Sequence, residues 1–213
     1  MIWAVIGLSA SAQAQTLNPT AKPFAVRVGY LLSNDVSNQR GDFETTRNDP
    51  YRFFSLGASY DLPVTPSGAP TKVSVYLDYF LPTTRQQNRR DTFGTSDRIR
   101  LQTQSVGAGV AIQTGAKTSG PIYRVYTGVG AGFYYTHTRT ELNRSVNVLP
   151  MPYYNRITRT TKAQFGASGK LFIGAESAAG VFGELEYVSL PSVNPRDYDD
   201  ILSGPHLRLG YRF

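Results

Sequence analysis

Two histidines, His137 and His206, are the first residues to test for chemistry. Glu141 and Ser145 follow His137, so a nucleophile, a base and an orienting acid lie close together. No hydrolase signature matches them, and the plainer reading of His137 is a histidine at an aqueous interface. His206 follows Pro205 and has no partner motif. With two histidines and no cysteine, neither a dedicated transition-metal site nor a thiolate nucleophile is expected. Asp197, Asp199 and Asp200 could offer oxygens to calcium, but their spacing is not that of an EF-hand, so a solvated acidic loop is expected. The run Gly128-Val129-Gly130-Ala131-Gly132 departs from the phosphate-cradling pattern, because Phe133 stands at the final glycine and no helix follows. The residues therefore point to no enzyme and no cofactor.

What remains is charge, glycine and aromatic residues. The 213 residues suit one domain. The net charge is +7, from 22 Lys and Arg against 15 acids, but Arg89-Arg90 is the only adjacent basic pair. Nucleic-acid binding is not expected from so scattered a distribution. The hydrophobic fraction of 40% and mean hydropathy of -0.28 resemble a soluble protein. A membrane barrel gives the same averages, because its wall needs apolar side chains only at alternate positions.

Residues 1–14 read as a signal peptide: Ile2 to Leu8 is apolar, Ala12-Gln13-Ala14 is a cleavage pattern, and Gln15 starts the mature chain. No other segment approaches about 18 consecutive apolar residues. Residues 15–213 form the second unit, a barrel domain. Period-two alternation, broken by Gly, Pro, Asn, Asp and Ser, predicts eight strands. They are Phe24–Ser33, Tyr51–Leu62, Thr71–Thr83, Arg98–Thr114, Ile122–Thr138, Ile157–Glu176, Val181–Leu190 and His206–Phe213. The connections alternate long and short, with Asn34–Pro50, Thr84–Asp97, Arg139–Arg156 and Pro191–Pro205 the long ones. That order predicts an all-β, eight-stranded, antiparallel up-and-down transmembrane barrel with both termini on the short-turn side.

Each predicted strand has an apolar face and a polar one. Val26, Val28, Tyr30 and Leu32 oppose Arg27 and Gly29, and Leu185 and Tyr187 oppose Glu184 and Glu186. The polar face is rich in Gly, as at Gly107, Gly109, Gly128, Gly130 and Gly132. Glycine weakens an exposed strand face but suits a lumen where space is short. That face is therefore assigned to the interior. Its charges, Arg27, Asp78, Arg124, Lys170, Glu184, Glu186, Arg208 and Arg212, are expected to pair there as a network. The opposite face meets lipid, with aromatic girdles at Phe24, Tyr211 and Phe213 on one rim and at Tyr79, Tyr135 and Tyr153-Tyr154 on the other.

The signal peptide, the eight strands, the segment YRVYTGVGAGFYY and the final LRLGYRF together resemble the outer-membrane β-barrel family of OmpA/OmpX-like and opacity-type proteins. The resemblance implies an integral protein of the bacterial outer membrane with periplasmic termini, among lipids that include lipopolysaccharide. It also implies that Leu209, Tyr211 and Phe213 form the signal read by the barrel assembly machinery. The position five before Phe213 is Arg208, where a glycine is often found. The function expected is non-enzymatic: a monomeric barrel with a charge-plugged lumen, whose loops act in envelope integrity or surface interaction with extracellular ligands. The alternatives are a small-solute channel and a lipid-modifying enzyme with its site at the outer rim.

Overall fold

The computed structural model describes residues 22–33, 43–48, 51–62, 71–91, 95–118, 120–146, 154–190 and 203–213. Residues 1–14, Tyr153 and the aspartates at 197, 199 and 200 lie outside them. Nine strands are described: β1 (Phe24–Ser33), β2 (Phe43–Asn48), β3 (Tyr51–Leu62), β4 (Thr71–Asp91), β5 (Thr95–Lys117), β6 (Ile122–Val146), β7 (Tyr154–Ser177), β8 (Val181–Ser189) and β9 (Ser203–Arg212). Eight of them close a ring in the order β1-β3-β4-β5-β6-β7-β8-β9, and β2 adds to the far end of β4. Every pairing is antiparallel. The seam is closed by β1 and β9, with Ala25 opposite Arg212 and Phe213 N–H donating to the Phe24 carbonyl at 2.7 Å. A ring leaves the wall no open sheet edge, which hydrocarbon would not tolerate.

Alternation places the side chains as expected. Val28, Leu77, Val129, Leu171, Leu185 and Leu209 are exposed on the outside. Arg27, Asp78, Lys170, Glu184 and Arg208 are buried on the inside. Burying about 25 cal/mol per Å² of apolar surface drives soluble folding. A chain that turns thirty large apolar side chains outward and its charges inward therefore belongs in an apolar solvent.

The interior is packed by size. A walk along directly paired residues runs Glu176, Phe182, Gly210, Arg27, Gly57, Asp78, Gly107, Tyr134, Gly166. It returns to β7 at Gly166, ten residues from Glu176, which is the stagger of the ring. Such a stagger tilts the strands by about 40°. Large residues and glycines alternate along this row from Phe182 onward. A Cβ at Gly107 would come within 2.2 Å of the Tyr134 ring, one at Gly57 within 2.6 Å of Asp78, and one at Gly210 within 2.3 Å of the Phe182 ring. Each glycine is the floor on which its neighbour's side chain lies.

The strands at the long-connection end run further than expected. Alternation predicts loops at Thr84–Asp97 and Arg139–Arg156, but β4, β5, β6 and β7 continue through most of both. Strand β2 likewise falls inside the predicted loop Asn34–Pro50. Few apolar residues occur along these extensions, so the alternation that marks a wall strand is missing there. The bulge of β4 lies between Phe80 and Thr83, around Pro82, which has no N–H to give the ladder. Strand β7 pairs with β6 from Tyr154 to Ser177 but with β8 only from Gly169 to Glu176. At the opposite end, the turn from β7 to β8 carries Gly180 at φ 96°, a conformation that suits glycine.

Unboiled protein is expected to migrate differently from boiled protein on a denaturing gel and to stay β-rich in detergent. Gly107→Leu is expected to lose about 1–3 kcal/mol of stability in urea unfolding, by driving a side chain into Tyr134. Wild-type stability in that variant would show that Tyr134 is not held where it packs.

Candidate functional site

Asp78 on β4 is the centre of the interior. Arg27 from β1 donates to it at 3.1 Å, Arg208 from β9 at 3.0 Å and Tyr134 from β6 at 3.0 Å. Lys170 from β7 lies 3.6 Å away. Glu186 on β8 faces Arg208 at 2.8 Å and Lys170 at 3.5 Å. Glu184 faces Arg27 at 3.6 Å and accepts from Tyr126 at 3.0 Å. The cations Arg27, Lys170 and Arg208 thus answer the carboxylates Asp78, Glu184 and Glu186. Asp78 and Arg208 are each 1% exposed, a burial that ions survive only when paired and hydrogen-bonded. The Lys170 ammonium also sits 3.3 Å from the centroid of the Tyr76 ring, a cation–π contact.

A second cluster lies toward the short turns. Arg212 pairs with Asp61 and, at 3.1 Å, with Glu176, while Lys72 reaches Asp61 at 3.1 Å. Arg124 is buried and stacks over Tyr126, 5.3 Å from the ring centroid. All eight charges expected in the lumen face inward, in two groups rather than one. Arg27, Asp78, Lys170, Glu184, Glu186 and Arg208 meet at mid-height, and Arg124 and Arg212 lie below. Alternation did not single out Asp61, Glu176, Tyr134 or His206 as members, although each has the inward phase of its strand.

Toward the long connections the interior turns apolar. Leu31, Phe53, Phe80, Ile99, Leu101 and Val188 form a buried cluster above the charges. Phe53 and Phe80 meet edge to face with centroids 6.2 Å apart. This layer was not anticipated. The inward phase of β1 nonetheless runs Arg27, Gly29, Leu31, so the signal was present.

His206 is fully buried, although no partner motif stands near it along the chain. Its Nε2 is 2.8 Å from Ser55 Oγ, and its Nδ1 is 3.5 Å from Glu186 Oε2. A serine, a histidine and an acid therefore meet inside the barrel. Arg208 Nε lies 2.8 Å from Glu186 Oε2 and 3.1 Å from His206 Nδ1, so the guanidinium joins the histidine and the acid. Ser55, His206 and Glu186 are all buried, which leaves a substrate no approach to the hydroxyl. The set is a structural hydrogen-bond chain. The other trio stays apart: His137, Glu141 and Ser145 lie on one extended strand, about 13 Å between successive members. Glu141 pairs with Arg159 at 3.2 Å, and Ser145 donates to the Ser96 carbonyl. The glycine run from Gly128 to Gly132 lies in the middle of β6, with no helix after it.

Among the described residues, no group of three or more potential ligands could hold a metal. Of the aromatic girdles, Phe24 and Phe213 meet with centroids 6.0 Å apart, Tyr211 and Phe213 5.0 Å apart, and Tyr79 and Tyr135 face outward.

The closed ring, apolar outside and charged inside, defines a membrane-spanning, eight-stranded, up-and-down β-barrel. No protein-family model matches the sequence, and no curated protein matches it. Among solved structures, two of Ail, the attachment invasion locus protein of Yersinia pestis, are similar to this chain. One, in complex with the heparin analogue sucrose octasulfate, is 14% identical with a TM-score of 0.40, over 90% of this chain and 98% of that one. The other is 13% identical with a TM-score of 0.34, over 91% and 100%. At these values the likeness says nothing of what this chain binds.

Asp78→Ala is expected to cost about 3–5 kcal/mol in urea unfolding, because it leaves three buried cations, Arg27, Arg208 and Lys170, to two carboxylates, Glu184 and Glu186. Glu141→Gln, which breaks only the pair with Arg159 above the rim, is expected to cost less than about 1 kcal/mol. Equal losses would remove the special standing of Asp78.

Proposed function

We propose that this chain is an integral protein of the bacterial outer membrane whose lumen is closed by its ion pairs, and which acts at the cell surface by contact rather than by transport. The observation that carries the reading is the interior. The cavity between the two charge clusters, lined by Arg27, Tyr76, Lys170, Glu184 and Arg212 among others, holds about 10 Å³, room for roughly one water. The apolar layer of Leu31, Phe53 and Phe80 lies across the lumen above it. An eight-stranded ring is just wide enough for side chains to fill, and these side chains fill it.

Function then falls to what lies outside the lumen. Strands β4 to β7 rise past the rim as a sheet, with β2 paired to the outer end of β4. Among the described residues, no strand pairs with the outer edge of β7 from Tyr154 to Ser168. A row of free backbone N–H and C=O groups is the chemistry of strand addition, so the edge suits an extended segment of an extracellular ligand. The short Ser177–Val181 turn, the start of β1 at Phe24 and Phe213 share one rim, which fits periplasmic termini. Leu209, Tyr211 and Phe213 all face outward, which suits a signal read by the barrel assembly machinery from outside the wall. Lipids, including lipopolysaccharide, surround the wall, and the chain works as a monomer.

In planar bilayers the refolded chain is expected to pass no steady current. A stable open current from the wild-type protein would overturn the closed lumen and make the chain a small-solute channel.

A further inference from the structure

Charge on the outside of the barrel is uneven. On β1, β8 and β9, no described outward side chain is charged. On β5, β6 and β7 the outward face passes from aromatic residues to arginines as the strands leave the wall. The register sets Val106, Tyr135 and Phe165 in one row. Two residues further out comes the row of Gln104, His137 and Ala163, then Gln102, Arg139 and Thr161, then Arg100, Glu141 and Arg159. Directly opposed residues of antiparallel strands share a face, so these rows stack into one patch.

The arginines of the patch differ in their commitments. Arg159 holds Glu141 at 3.2 Å, and Arg98 donates to Gln86 at 3.1 Å. Arg100 and Arg139 are exposed and have no ion-pair or hydrogen-bond partner among the described residues. They are diagonal neighbours, about 7–8 Å apart at the backbone, with Gln102 directly opposite Arg139. Two guanidinium groups at that spacing can close on one phosphate with paired N–H donors, and Gln102 adds an amide. Below them, Phe133 and Phe165 stack with centroids 5.4 Å apart and planes 7° apart, and Phe165 is 67% exposed. From Tyr135 to Arg139 the strand climbs about 13 Å along its own axis, or roughly 10 Å above the girdle once tilted. That is headgroup depth.

We infer that the outer face of β5, β6 and β7 binds one phosphate-bearing lipid of the outer leaflet. Arg100 and Arg139 hold the phosphate, and the Phe133–Phe165 pair lies along the acyl chains. The inference rests on the proposed outer-membrane reading, which supplies the lipid.

Native mass spectrometry of the full chain released from detergent micelles tests it, with bisphosphorylated lipid A as the probe. One lipid per barrel is expected to be retained, and roughly tenfold less of the same lipid with both phosphates removed. Arg100→Glu with Arg139→Glu is expected to lose the same factor. Arg156→Glu, on the opposite face of β7, is expected to lose nothing. Equal retention by the double variant, or of the phosphate-free lipid, would overturn the site, as would an equal loss in Arg156→Glu. Displacement by an equimolar amount of inorganic phosphate would overturn the lipid as the ligand. The unboiled gel shift keeps two failures apart. If the wild-type chain lacks the shift, the barrel reading has failed. If only the double variant lacks it, Arg139→Gln in the folded protein takes its place: reduced retention supports the site, and undiminished retention overturns it.

Discussion

The structure depends on a carboxylate, Asp78, held with almost no exposure in the middle of a narrow lumen. An ion so placed persists only if opposite charges and hydrogen-bond donors reach it. Here they come from β1, β6, β7 and β9, at 3.0 to 3.6 Å. Those strands stand on different sides of the ring, so one residue on β4 ties most of the wall together through the interior. Slipping β1, β7 or β9 by one residue would turn its charged partner toward lipid, where a Lys or Arg costs about 2–4 kcal/mol at mid-depth. Charge pairing therefore fixes register as well as contents.

Pairing also explains the glycines. Arg27, Asp78 and Tyr134 can meet only if the positions between them, Gly57 and Gly107, carry no side chain. The stagger of ten makes the paired row climb the barrel, so large side chains from neighbouring strands lie at successive heights instead of colliding. Electrostatics decides which residues must meet, and the glycine rows give them the space to do so.

Most of this is legible in the sequence. The bounds of β1 and β3 and the start of β4 follow from period two, because in the wall one face meets lipid and the other meets charge. The same contrast identifies the lumen residues. It fails where the contrast fails. Above the rim, residues such as Thr84, Ser96, Arg139 and Asn155 are exposed and offer no apolar face, so the outer ends of β4 to β7 read as loops. His206 escapes for another reason. Its partners Ser55 and Glu186 lie 151 and 20 positions away: pairing of β8 with β9 brings Glu186, and only ring closure brings Ser55. A short motif search around a histidine cannot find a contact made through the seam of a barrel.

The closed lumen proposed above has a consequence for where selection can act on function. A filled interior can be altered only at the expense of the register it fixes, so the wall and its contents are constrained together. The outside of β4 to β7 above the rim is free of that constraint, since no buried ion depends on Arg100 or Arg139. The barrel is lopsided as a result. Strands β1, β8 and β9 are described as far as Ser33, Ser189 and Ser203 with uncharged outer faces, while β4 to β7 run further with cations on one face, and no described strand pairs with β8's side of β7 before Gly169. Strand-borne side chains hold their places better than loop-borne ones, because each is set by two flanking ladders. A recognition surface built there keeps its geometry from the barrel below without sharing its charges.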